Sequence, residues 1–245
     1  MDNFNVFAYW WERKASADDC AVRITQFLSD LGRCDSQFNN WYWQGRSRKE
    51  GLRWRLSIVD RASLRRAVLR GRHRNYQGKL AFPELGFGLG MWNGLDSKHA
   101  TSISLSCGAW YPDAANCCLL YLPDELGSLK RAGSMQDIIA AVVNAWNPDC
   151  ASVVSNRALS RRRSKGKAPI VDWMVYVSNR WMPNPPQLEP PASSKKLPDG
   201  TLIVVQKEPT DVKNPEHLRN IRQVRNAIRP RLRIPASSNE AQSDT

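Results

Sequence analysis

The sequence lacks G-x-S-x-G, a phosphate-binding G-x-x-x-x-G-K, H-E-x-x-H and any H-x-E followed by C-x-x-C. Those absences exclude the motif-bearing hydrolases, NTPases, zinc proteases and deaminases. Only three histidines are present, each without a neighbouring ligand at metal spacing, so neither a metal nor another cofactor is expected. The six cysteines form no C-x-x-C pair, and five of them fall within apolar periodic segments, which reads as buried free thiols. No run reaches the roughly 20 apolar residues of a membrane span. The start Met1-Asp2-Asn3-Phe4 has no basic, apolar leader, so a cytoplasmic protein without a membrane partner is expected. No internal repeat occurs, which excludes solenoids and propellers.

What the chain does have is aromatic mass and positive charge. Its 245 residues include ten Trp, six Phe and six Tyr, enough apolar surface to offset the entropy of ordering one core. The net charge of +13 calls for an acidic partner, because like charge in that amount repels itself. It is clustered: residues 46–74 hold eleven Lys or Arg, residues 157–167 hold six, and residues 219–233 hold six. Trp and Arg together are the side chains that dominate protein interfaces, Trp through desolvated area and Arg through its bidentate fork.

Hydrophobic period sets the expected elements. Residues 4–11 carry aromatics on both alternating sets, as a strand covered on both faces and central in its sheet requires. Ser16 and Asp19 form a near capping box, after which Cys20, Ile24, Phe27, Leu28 and Leu31 recur at helical spacing. Residues 38–54 show no clean period and read as irregular. A helix capped by Asp60 runs through Leu64, Ala67 and Val68 to Gly71. Gly86, Gly88, Gly90 and Gly94 mark residues 85–94 as a shaped loop. Alternation from Ser102 to Ala109 predicts a strand with a small polar face, and the apolar run 117–122 predicts another. A helix capped by Ser134 buries Met135, Ile138, Ile139, Val142 and Trp146, then stops at Asn147-Pro148. Strands at 151–155 and 171–177 flank an exposed basic loop at 157–167, and six prolines between 183 and 198 give an extended connection. A strand at 201–206 and a helix capped by Asn214 follow, the helix burying Leu218, Ile221, Val224 and Ile228. Its other side carries Arg219, Arg222, Arg225 and Arg229. The pattern predicts one α+β domain over residues 1–234, a largely antiparallel sheet with packed helices, and a polar tail at 235–245.

A scan for chemistry leaves one catalytic pattern. Pro83-Glu84 lies twelve residues before Asp96-Ser97-Lys98, a loose match to the carboxylate, carboxylate-x-Lys set with which restriction-type nucleases hold Mg²⁺ and orient water. The turn at Asn93-Gly94 places the second half outside a strand, which argues for coincidence.

Several ordered segments bear a resemblance to the immunity protein 52 family of bacterial toxin–immunity systems. They are Tyr9-Trp10-Trp11-Glu12-Arg13, Asp19-Cys20-Ala21, Leu85-Gly86-Phe87, Trp92-Asn93-Gly94, Cys107-Gly108, Trp146-Asn147-Pro148-Asp149, Asp172-Trp173-Met174-Val175-Tyr176, Pro198-Asp199-Gly200-Thr201 and Asn214-Pro215-Glu216-His217-Leu218. The resemblance extends over roughly residues 4–230. The resemblance implies a small antitoxin without enzyme activity. Its partner is implied to be a cognate toxin with a restriction-endonuclease-like domain, delivered by a type VI or contact-dependent system. Asp172 stands where the family pattern has Gly, and the strong positive charge speaks against DNA mimicry. The candidate contact residues are Trp92 and Asn93 in the glycine-shaped loop, Arg161, Arg162 and Arg163 in the basic loop, and Arg222 and Arg225 on the last helix. A nucleic-acid-binding module built on residues 46–74, and a Mg²⁺ nuclease built on Glu84, Asp96 and Lys98, are the alternatives.

Overall fold

A computed structural model describes residues 3–75, 77–160 and 168–234. The expected tail at 235–245 and the triplet Arg161, Arg162 and Arg163 lie outside the described residues. The strands are β1 (Phe4–Trp10), β2 (Tyr42–Trp43), β3 (Phe87–Trp92), β4 (Ser102–Cys107), β5 (Asn116–Tyr121), β6 (Cys150–Ser155), β7 (Met174–Ser178), β8 (Ser193–Leu197) and β9 (Gly200–Val204). They form one sheet in the order β2-β3-β4-β5-β1-β6-β7-β9-β8. Every pairing is antiparallel. β1 is the fifth of nine strands, as its two aromatic faces require.

The helices are α1 (Ala17–Cys34), α2 (Arg48–Gly51), α3 (Arg61–Arg70), α4 (Ala132–Trp146), α5 (Asn156–Ser160) and α6 (Pro215–Ile228). α1 starts on the Ser16–Asp19 capping box, whose two reciprocal bonds satisfy N-terminal N–H groups. One face of the sheet contributes Phe4, Val6, Ala8 and Trp10 to a core with Ile24, Phe27 and Leu31 of α1 and Ile138, Val142 and Trp146 of α4. The other face packs Tyr9, Cys150, Val175, Val177 and Ile203 against Ile221, Val224 and Ile228 of α6. The chain is therefore a three-layered α+β domain with β1 at its centre.

Four expectations change. Residues 87–92 form β3 and not a loop, because Phe87, Leu89 and Met91 alternate with Gly88, Gly90 and Trp92, and Gly90 makes room for the Gln44 side chain. Within residues 85–94, positive φ occurs at the flanks of the strand, at Gly86 (φ 68°) and Gly94 (φ 79°). The proline-rich connection contains β8, whose Ser-Ser-Lys-Lys-Leu shows no apolar alternation because it is a solvated edge strand. α4 begins at Ala132 without a side-chain cap, placing Ser134 inside the helix. Leu218 is exposed and Asn220 faces inward, donating to Gln206 Oε1. Smaller differences are the short β2 and α2 within 38–54, and α5 at the start of the basic segment.

All six cysteines are free thiols. Cys20, Cys107 and Cys118 are buried, and burial first, then nearby carboxylates, pushes the partly exposed Cys34 up to about 11. At pH 8 the native protein should therefore react slowly with iodoacetamide, whereas protein unfolded in urea should titrate six thiols. Rapid native alkylation at Cys34, or fewer than five thiols on unfolding, contradicts this packing.

Candidate partner-binding surface

The end of the sheet where β1 stops is assembled from segments far apart in sequence. Asn147 takes a left-handed conformation (φ 44°, ψ 60°), and Pro148 prevents α4 from continuing. The carbonyls this leaves unpaired are met by arginines: Arg13 donates from Nη1 to Trp146 O (2.9 Å) and from Nη2 to Asn147 O (3.0 Å), and Arg23 Nη1 donates to Ala145 O (2.9 Å). Above them the Trp146 ring stacks on Trp10, with centroids 5.5 Å apart.

Asp149 ties three strands together at this end. Its amide donates to Tyr9 O and its carbonyl accepts from Ser178 N. Its carboxylate accepts from Trp11 N at 3.0 Å and pairs with Arg180 at 2.8 Å. At 3% exposure this charge is stable only because both oxygens are engaged. Arg13, Arg23 and Arg180 with Asn144, Asn147, Pro198 and Asp199 line a cleft of about 630 Å³. Burial first, then repulsion from Arg180, lowers the Arg13 pKa, with Asp149 opposing the shift.

Beside the cleft, the β4–β5 connection presents two aromatics. Trp110 is 43% exposed and Tyr111 54% exposed. The backbone beneath them is held at several points: both amides donate to Glu84 O (2.9 and 3.0 Å), and Ala109 O accepts from Arg13 N at 2.8 Å. The fully buried Asn116 accepts from Ala109 N through Oδ1 (2.8 Å) and donates from Nδ2 to Ala109 O (3.1 Å). Gly86 has no side chain because a Cβ there would strike Cys107 O and the Ala109 amide. Lys14 Nζ lies 5.1 Å from the centre of the Trp110 ring.

The residues expected from sequence fall elsewhere. Trp92 is at the opposite end of β3, half-buried, its ring 6.1 Å from that of Tyr42. Asn93 is 2% exposed, and its side-chain amide is used internally, donating to His99 O and accepting from Thr101 N and Leu95 N. It therefore belongs to the frame and not to a contact surface. Arg222 and Arg225 are exposed on the outer side of α6 with Arg219 and Arg229, and none of the four makes an ion pair among the described residues. β4, β5 and β1 separate β3 from the half-sheet that α6 covers, so the structure does not bring Trp92 together with those arginines. Trp110 and Tyr111 could have been found from an aromatic pair beside Pro112-Asp113 between two predicted strands. Nothing in the sequence singled out Arg180.

The nuclease pattern does not assemble. Glu84 precedes β3 and Asp96 follows it, and six strand residues separate them by about 20 Å. Asp96 Oδ1 instead accepts from the Lys98 and His99 amides, and Lys98 pairs with Glu125 at 3.3 Å. Among the described residues no three His, Cys, Asp or Glu side chains group as metal ligands. No described helix is long and apolar enough to cross a membrane.

The fold is thus a mixed α+β domain, with Trp110, Tyr111 and three arginines exposed at or lining one end of its sheet. Its family follows: the Immunity protein 52 model matches residues 2–231, and the chain belongs to that family. The function of the chain is accordingly immunity. A solved structure titled as the Pseudomonas aeruginosa T6SS protein PA0821 shares the fold, with a TM-score of 0.52 and 9% identity over 94% of this chain and 73% of that one. No curated protein matches the chain in sequence. Three segments that carried the resemblance, those at Arg13, at Trp146–Asp149 and at Pro198-Asp199, meet at the cleft.

Two outcomes follow. Asp149→Ala removes two charge-assisted bonds and leaves the Trp11 amide without its acceptor, so urea unfolding should lose about 2–4 kcal/mol. A loss under about 0.5 kcal/mol contradicts the role given to Asp149. Purified protein should leave plasmid DNA and RNA intact with Mg²⁺ or Mn²⁺, and cleavage abolished by Asp96→Ala contradicts the site assignment.

Proposed function

We propose that this chain neutralises a cognate toxin by binding it directly, in a reducing cytoplasm, and that it catalyses nothing itself. The observation that carries the reading is the family match across residues 2–231. The partner is a toxin with a restriction-endonuclease-like domain, and the fold shared with a T6SS protein supports delivery by a type VI system. A standard interface covers roughly 800 Å² per partner and leaves ample room for several of the patches described.

Charge decides how the partner is met. With +13 overall, an acidic face on the toxin is drawn in, and the metal-binding carboxylates of a nuclease site are natural acceptors for guanidinium forks. Arg161, Arg162 and Arg163 with Arg222 and Arg225 form the electrostatic rim, and the half-open edge of Trp92 is a secondary contact. Rim charges act mainly on the association rate. Inhibition is by covering the toxin active site or by blocking assembly of the toxin.

A nucleic-acid-binding reading is favoured by one observation, the row of arginines along α6 that have no acidic partner among the described residues. Gel shifts separate the two: the immunity reading expects tight binding to the toxin domain and only weak, salt-labile binding to duplex DNA. Replacing Arg161, Arg162 and Arg163 together by Gln should slow association with the toxin severalfold and flatten its salt dependence, with the unfolding midpoint unchanged. An unchanged on-rate and salt slope in stopped-flow removes that segment from the rim.

A further inference from the structure

We propose that Trp110 and Tyr111 are the anchor of the toxin interface, and that the adjoining Arg13–Arg23–Arg180 cleft receives an acidic segment of the toxin. The inference rests on the immunity reading above and names the surface and the chemistry by which it works.

Three observations carry it. The first is preorganisation. Two large aromatics stand about half out of the protein on a loop fixed by hydrogen bonds to Glu84, Asn116 and Arg13, so docking them orders almost nothing that is not already ordered. Exposed Trp and Tyr on rigid backbone are the side chains most enriched among residues that dominate binding energy. Trp146 and Trp173, by contrast, are turned fully into the core. The second is the cleft. Arg23 engages Ala145 O through Nη1 alone and Arg180 engages Asp149 through Nη2 alone, so both retain N–H donors in a concavity of about 630 Å³. The third is charge. Three guanidiniums line the cleft against the one carboxylate of Asp199, Asp149 being already held by Arg180 and the Trp11 amide, and Lys14 lies over Trp110. Burial first, then repulsion from Arg180, lowers the Arg13 pKa, and an incoming carboxylate offsets the repulsion.

Other places were weaker. Tyr121 is also exposed, at the far end of the sheet, but it is a single aromatic at the last position of β5 and not a pair on one loop. Trp92 is held against Tyr42 and offers only part of its ring.

The test measures affinity for the purified domain of the cognate toxin, carrying an inactivating active-site substitution. The double variant Trp110→Ala, Tyr111→Ala should bind at least thirtyfold more weakly, and Arg180→Gln about tenfold more weakly with a shallower salt slope. Tyr121→Ala, an equally exposed aromatic at the other end, should stay within threefold. Arg180 also holds Asp149, so Lys14→Glu serves as a second charge variant that touches no buried group, and it should weaken binding in the same direction. Unfolding midpoints report whether each variant is folded. If the wild type binds the toxin and the double variant binds within threefold of it, the anchor is overturned while the immunity reading stands. If the wild type does not bind, both fall. If duplex DNA binds tightly and loses affinity in the double variant, the surface is a nucleic-acid site and the proposal is wrong.

Discussion

Residues Phe4–Trp10 bring aromatic side chains to both faces of one strand, and such a strand is stable only when each face is covered. The architecture follows from that demand. α1 and α4 cover Phe4, Val6, Ala8 and Trp10 on one side, and α6 covers Tyr9 on the other through Cys150, Val175 and Ile203. β5 and β6 flank β1 directly, so the two halves of the sheet are joined only through it. α6 reaches only the half beyond β1, which leaves the outer face of β2 to β5 lined by Gly88, Gly90, Ser104 and Ser106.

Where β1 ends, the fold must terminate α4 and start β6 within three residues, and charge performs that join. Arg13 closes the helix carbonyls, Asp149 gathers the backbone of three strands, and Arg180 neutralises Asp149. The same guanidiniums face a cleft open to solvent. A structural tie at the centre of the molecule thereby becomes a rigid, cationic edge, and the aromatic loop at Trp110 is bound to it through Arg13 and Ala109. Stability and recognition thus draw on the same few residues.

Much of the fold was legible because period and capping were strong. The two-sided aromatics placed β1 centrally, Ser16–Asp19 set the start of α1, and Asn147-Pro148 set the end of α4. β3 was hidden because glycine normally breaks strands, whereas here Gly90 accommodates Gln44 laid across it by tertiary packing. β8 was hidden because an edge strand solvated on both faces carries no alternation to read. The surface was the least legible part. Asn93 looked free because it follows a Trp and precedes a Gly, yet the turn it begins consumes its amide. Arg13 and Arg180 are 167 residues apart, and only the fold makes them neighbours.

Hydrogen exchange of the protein, alone and in complex with its toxin, tests the central claim most directly because it requires no substitution in a residue that also serves the fold. Binding is predicted to slow exchange most at residues 11–15, 108–114 and 179–182, with little change at 119–124. Protection confined to 92–99 or to the outer face of α6, with 108–114 unchanged, contradicts that claim.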